Sequence, residues 1–265
     1  MTSPIRIGAL ISGSGTNLEA IMDACDSGQI SGQMVFTGTD NPQAAGLEKA
    51  ASRGIPTFTV NYRDIIANWR QSPDDQKLPA DFDLADIRAR QSFFGPDADP
   101  ERRDRFLCTR AIAEAALLEN MAPYPFDLLV LAGFMRNLSP YFIDRVNTDA
   151  VLPRIMNIHP ALLPAFAGTD GYGDTFRYGC KVGGCTVHFI DYGEDTGPII
   201  GQRCFAIHET DTLADMKKRG LAEEWQLYPE CIQLFAENRL QVVTMTHSLA
   251  GGKVYQRRVV KIVQE

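Results

Sequence analysis

The segment Met156-Asn157-Ile158-His159-Pro160-Ala161-Leu162-Leu163-Pro164 delivers a carboxamide and an imidazole from the end of an expected strand. A neutral hydrogen-bond donor beside a group that protonates near neutral pH is what a developing oxyanion needs. A carboxylate, Asp195, stands in Gly193-Glu194-Asp195-Thr196-Gly197-Pro198. Near an imidazole it favours the protonated form, so the pair would keep His159 cationic and relay protons through water. On spacing alone, a structural histidine and a turn aspartate remain the simpler account, because Asp-Thr-Gly-Pro is good turn chemistry.

A second candidate is Gly13-Ser14-Gly15-Thr16-Asn17. Its glycines let the backbone turn closely, and free amides at the following helix N-terminus suit a phosphate monoester. An ordinary strand-to-helix turn capped by Asn17 fits equally well. The loop lacks the third glycine of the dinucleotide fingerprint and the Lys-Ser/Thr of the nucleotide loop, which counts against NAD and ATP.

The elements that must carry these groups alternate. Ile5 to Ile11 reads as a strand, and Leu18, Ile21 and Met22 recur at helical spacing after the glycine loop. Met34 to Thr37 is a strand, Gln43 to Arg53 a helix and Thr57 to Val60 a third strand. A polar excursion or flexible loop runs from Asn61 to Asp104, interrupted by Pro73, Pro79, Pro96 and Pro100. A helix from Arg105 to Met121 follows, with Ile112, Ala115, Ala116 and Leu118 on its apolar face, then a central strand from Phe126 to Leu131. Beyond these the pattern gives a helix over 139–146, a strand over 154–158, strands over 181–191 and 199–207, a long helix over 212–234 and a late strand over 240–245. The expectation is one α/β domain spanning 1–265: a mostly parallel twisted sheet with helices on both faces, late strands adding a mixed or antiparallel part, an insertion at 61–104 and a C-terminal extension at 247–265.

A net charge of -7 argues against a nucleic-acid partner held by bulk electrostatics and leaves a small-molecule partner. No apolar run is long enough to span a membrane, and the N-terminus lacks a signal-peptide layout, so a cytoplasmic chain is expected. The six cysteines are scattered. Cys180 and Cys185 have no matching second half, so reduced thiols and no metal are expected. Monomer and homodimer stay equally open.

Together, Ile11 to Leu18, Leu131-Ala132-Gly133-Phe134-Met135-Arg136, Asn157-Ile158-His159-Pro160, Thr186-Val187-His188-Phe189 and Asp195-Thr196-Gly197-Pro198 resemble the folate-dependent formyltransferase family, most closely its purine-synthesis branch. The resemblance spans about 5–243 and rests on five motifs in the family's order. It implies a Rossmann-like formyltransferase fold and transfer of the formyl group of the co-substrate 10-formyltetrahydrofolate to the amine of glycinamide ribonucleotide. By the same resemblance Gly15, Thr16 and Asn17 hold the substrate phosphate, and Met135, Arg136, Asn137 and Leu138 line the folate pocket. Asn157 and His159 stabilise the oxyanion, and Asp195 raises the histidine's pKa. An arginine on the preceding helix, assigned to Arg105, reaches the folate, and Glu224 contacts the ribonucleotide.

The chain departs from the family at Thr169 to Phe176, where other members carry a histidine-bearing segment; Gly171 and Gly173 suggest a mobile loop there. The rivals are a formyltetrahydrofolate hydrolase, a formyltransferase with another amine acceptor, and a binding protein that lost turnover. The hydrolase normally carries a regulatory domain before the catalytic one, for which a first strand at Ile5 leaves no room.

Overall fold

The computed structural model describes residues 3–148 and 152–264. Strands β1 (Ile5–Ile11), β2 (Gly32–Thr39), β3 (Thr57–Thr59), β4 (Leu128–Leu131) and β5 (Ile155–His159) run parallel, β6 (Val182–Phe189) pairs antiparallel with β5, and β7 (Ile199–Ala206) pairs antiparallel with β6. Among the described residues they form one seven-stranded sheet of order β3-β2-β1-β4-β5-β6-β7. The central strands β1 and β4 are short, largely apolar runs because both of their faces are covered, whereas the edge strand β3 is polar and mostly exposed. Ile7, Ala9 and Ile11 pack on one side with α1 (Thr16–Asp26), α2 (Gly46–Ser52) and α8 (Leu213–Ala236). Leu10, Leu129 and Leu131 pack on the other with α3 (Tyr62–Gln71), α5 (Pro100–Met121) and α6 (Pro140–Val146).

The chain winds outward from β1 to β3 and then returns to β4 on the other side of β1. Such a reversal leaves a crevice at the carboxyl ends of the strands, where open α/β sheets bind ligands. The β1, β4 and β5 ends lie in line, with Leu10 opposite Leu131 and Leu131 opposite Asn157. The buried Tyr228 hydroxyl of α8 donates to the carbonyl oxygens of Met156 at 2.8 Å and Leu131 at 3.3 Å, fastening the helix to the two strands that carry the site.

The expected polar excursion over 61–104 is helical for much of its length. It holds α3, α4 (Leu84–Arg90) and the start of α5. Asn61 accepts from the amides of Arg63 and Asp64, Asp83 from those of Ala85 and Asp86, and Asp99 from that of Glu101, so each helix starts on a side-chain cap. Only a thin apolar stripe is buried, Tyr62 on α3 against Phe134 and Ile87 on α4 against Leu107 and Tyr141. The Thr169 to Phe176 stretch is likewise not a loop but mostly a short helix, α7 (Gly171–Arg177). The late strand runs further than expected, as β8 (Leu240–Ser248), and pairs antiparallel with β9 (Val254–Ile262), so the C-terminal extension is largely a hairpin arm.

Candidate active site

A cavity of about 570 Å³ opens at the strand ends. Asn157, His159, Asp195, Asn17, Glu224, Met135, Arg136, Asn137 and Leu138 all line it. Gly15 and Thr16 are not among its lining residues, although Ser14 and Asn17 on either side are. Gly15 takes a left-handed backbone (φ 67°) as the residue before α1, and no side chain caps that helix, so Asn17 is not the cap the sequence suggested. Its carboxamide instead donates to Glu224 across the cavity floor, Nδ2 to Oε2 at 2.6 Å.

The catalytic candidates converge through the β5–β6 register, which sets Asn157 opposite His188. His188 is fully buried and its Nδ1 lies 3.0 Å from the Phe189 carbonyl oxygen. A carbonyl can only accept, so Nδ1 carries the hydrogen, and in the neutral ring Nε2 accepts from Asn157 Nδ2 at 3.2 Å. This pins the carboxamide, which keeps its second N–H for another acceptor. Asp195 sits between the two histidines, with Oδ2 3.2 Å from His159 Nδ1 and Oδ1 3.6 Å from His188 Nε2, and it accepts from the Gly168 amide at 2.9 Å. The other ring nitrogen of His159 faces the Phe166 carbonyl oxygen at 2.8 Å. Both His159 nitrogens thus meet acceptors, an arrangement that the imidazolium satisfies completely.

Burial opposes that charge. It pulls the His159 imidazole below its ordinary range, while the Asp195 carboxylate and the Phe166 carbonyl push the other way. Asp195 therefore acts in the direction the sequence suggested, but desolvation of a ring only 3% exposed outweighs it. Burial also works against the Asp195 carboxylate, yet the field of His159 and the bond accepted from the Gly168 amide hold it below the usual range. The wall beside His159 is Gly171, where a Cβ would lie 2.7 Å from the Pro160 carbonyl oxygen and 3.0 Å from His159 Nε2. The first turn of α7 can pack this closely only without a side chain.

The other end of the cavity is lined by Leu131, Phe134, Leu138, Ile190 and the backbone around Gly133 and Gly193. Arg136 is tied to Asp40 at 2.5 Å and lies over the Tyr62 ring. Arg105 does not reach this end. It is exposed on α5 and is not a lining residue, whereas Arg110, five positions on, is buried between the rings of Tyr62 and Phe106 at 5.0 and 4.7 Å. A five-residue step is about 500° around a helix, so the two arginines leave it in well-separated directions. Sequence reasoning also passed over Tyr172, taken for part of a mobile loop, and gave His188 no role. The first is signalled only by packing and the second only by cross-strand register.

No group of three or more His, Cys, Asp or Glu side chains arranged to hold a metal occurs among the described residues. The family model described as formyl transferase matches residues 5–232. The chain is 31% identical over 253 residues to phosphoribosylglycinamide formyltransferase of Mycobacterium tuberculosis, covering 96% of this chain and 94% of that protein. It is 30% identical to the trifunctional purine biosynthetic protein adenosine-3 of Homo sapiens, covering 89% of this chain but spanning only 19% of that longer protein. Among solved structures it is similar to glycinamide ribonucleotide transformylase 1 from Symbiobacterium toebii, with a TM-score of 0.70, 36% identity and coverage of 100% of this chain and 96% of that one.

Proposed function

The chain belongs to the formyl transferase family, and from that premise we propose that it moves the formyl group of 10-formyltetrahydrofolate to the amine of glycinamide ribonucleotide, a step of purine synthesis. The observation that carries this reading is the grouping of Asn157, His159 and Asp195 on one wall of a cavity whose two ends differ. One end is apolar and rich in backbone groups, as a pterin requires; the other holds Asn17, Glu224 and Lys217, polar partners for a ribosyl phosphate.

In this reading the free N–H of Asn157 meets the formyl oxygen as the amine attacks, and His188 keeps that N–H aimed. His159, paired with Asp195, donates to the same oxygen or to the departing nitrogen once Phe166 yields its contact. The C–N bond to the acceptor forms, the C–N bond to the folate breaks, and the proton lost by the amine leaves through Asp195 and water. Met135, Arg136, Asn137 and Leu138 hold the folate. The amides at the start of α1, from Gly15 to Asn17, face the phosphate, and Glu224 takes the acceptor's donor groups. These assignments predict that Asn157→Ala lowers the rate of formyl transfer by about two to three orders of magnitude with the fold intact, as losses of oxyanion donors do. Rapid-quench measurement of product on the folded variant tests them. A folded variant that transfers the formyl group at the parental rate would refute the role of Asn157, and a parent protein that binds both substrates without forming product would mark a binding protein instead.

A further inference from the structure

Between α1, α7 and α8 the floor of the cavity holds a carboxylate that formyl activation does not use. Glu224 is 4% exposed; it accepts from Asn17 Nδ2 through Oε2 and from the Tyr172 hydroxyl through Oε1, both at 2.6 Å. Asn17 Oδ1, beside it, is buried with no hydrogen-bond partner among the described residues, in a side chain 8% exposed. Buried acceptors are ordinarily paired, so a free carbonyl oxygen beside a carboxylate with lone pairs to spare marks a place for hydrogen-bond donors.

Tyr172 is built into this floor. Its ring occupies the space left by Gly220 of α8, where a Cβ would lie 2.3 Å from Tyr172 Cζ and 2.4 Å from its hydroxyl oxygen, and it packs on Phe205 with centroids 6.3 Å apart. Gly220 stands one helical turn before Glu224, so the gap on α8 delivers the hydroxyl to the carboxylate of the same helix.

We propose that Tyr172 is a positioning residue for the acceptor substrate: seated over Gly220, its hydroxyl fixes Glu224, together with Asn17, as an oriented and ionised acceptor set for the hydroxyl or amine donors of that molecule. Only the identity of the acceptor rests on the formyl-transfer reading. Burial pushes the Glu224 carboxyl above its ordinary range, and the bonds from Asn17 and Tyr172 oppose it. The other ionisable groups that feel this carboxylate are Cys185 on β6 and Tyr228 on α8, and both sit where burial keeps them neutral. Glu223 and Lys217 on α8 complete the charges on that helix near the floor. Without the Tyr172 hydroxyl the carboxyl takes up a proton more readily, and an acceptor turns into a donor.

Tyr172→Phe removes the hydroxyl and keeps the ring. With glycinamide ribonucleotide as the probe, the KM for the acceptor should rise about tenfold to a hundredfold, the worth of a hydrogen bond to a charged group. The kcat and the KM for 10-formyltetrahydrofolate should stay within about twofold, and the acid limb of kcat/KM for the acceptor should move to higher pH. In parallel, carboxyl carbon-13 NMR on glutamate-labelled protein should show Glu224 titrating at higher pH in the variant. An unchanged acceptor KM, or equal rises in both KM values, overturns the proposal. If neither protein formylates a ribosyl-phosphate amine, the formyl-transfer reading fails by itself. The Glu224 titration then decides: a move upward supports the role of Tyr172, and no move overturns it.

Discussion

Replacing Asp195 by Asn tests whether the charge beside His159, rather than its shape, drives the chemistry. The Asp195 Oδ2 to His159 Nδ1 separation is 3.2 Å, with the side chains 12% and 3% exposed. At that distance two unit charges attract by about 5 kcal/mol for an effective dielectric of about 20. Asparagine keeps an oxygen that can accept from Nδ1, and a neutral hydrogen bond is roughly half as strong as a charge-assisted one. The net loss is therefore about 2–3 kcal/mol, a fall of about two orders of magnitude in the rate of any step that needs the imidazolium. The sign of the pH effect follows from the same pair. Burial already draws the His159 pKa down and Asp195 resists, so Asp195→Asn lets it fall further. The limb on which activity declines with rising pH, as His159 loses its proton, then moves to lower pH. Single-turnover rates of formyl transfer across the pH range, on variants shown to be folded by near-ultraviolet circular dichroism, measure both. A rate within a few-fold of the parent, or a limb that stays put, would refute the electrostatic role and leave Asp195 a turn residue.

Three further outcomes follow from the packing. Gly171→Ala sets a Cβ 3.0 Å from His159 Nε2 and 2.7 Å from the Pro160 carbonyl oxygen; overpacking of this kind costs about 1–3 kcal/mol. Because the moving partner is His159 itself, kcat should fall about tenfold or more alongside the melting temperature, and a destabilised enzyme with parental kcat would show the contact to be irrelevant to catalysis. Glu114, buried beneath Ser139, is pushed by burial from 4.5 to about 7 against the bonds it accepts from the Ser139 amide and hydroxyl. The folded protein keeps that proton where the unfolded chain releases it, so this contribution to stability is fully present below about pH 4.5 and is lost, to the extent of about 3 kcal/mol, as the pH rises to about 7. Urea unfolding of Glu114→Gln should show that decline removed, and an unaltered slope would count against it. Tyr228→Phe deprives the Met156 and Leu131 carbonyl oxygens of their donor; it should cost about 1–3 kcal/mol by the same assay, and a neutral effect would mean that α8 is held by its apolar contacts alone.

The sheet was legible because β1, β4 and β5 are short apolar runs followed by turn chemistry, a signal that both burial and periodicity produce. The helices over 61–104 were not, although their caps Asn61, Asp83 and Asp99 stood in the sequence and Tyr62, Ile65, Ile66 and Trp69 recur at helical spacing on α3: the surrounding charges and prolines masked that short signal, and α4 buries only Ile87. Asn157, His159 and Asp195 were singled out by residue type and resemblance, and all three line one cavity. The residues that orient them depend on long-range contacts, namely the β5–β6 register for His188 and the Gly220 gap for Tyr172. Arg105 was chosen from its five-residue spacing to Arg110, with Arg102 and Arg103 close enough to shift the alignment; on α5 it is Arg110 that is buried, a helical phase that only packing sets. Gly171 and Gly173 read as flexibility and instead mark tight packing, against His159 and Asp170. The upward shift that Asp195 suggested for the His159 pKa is reversed by burial, which is not a local property.

The most direct measurement follows a labelled formyl group. Protein given 10-formyltetrahydrofolate carrying carbon-13 at the formyl carbon, with glycinamide ribonucleotide, should place the label in an N-formyl amide in step with tetrahydrofolate release and should leave the folate intact when no amine is supplied. Label emerging as formate, at the same rate with or without the ribonucleotide, would contradict formyl transfer and mark a hydrolase.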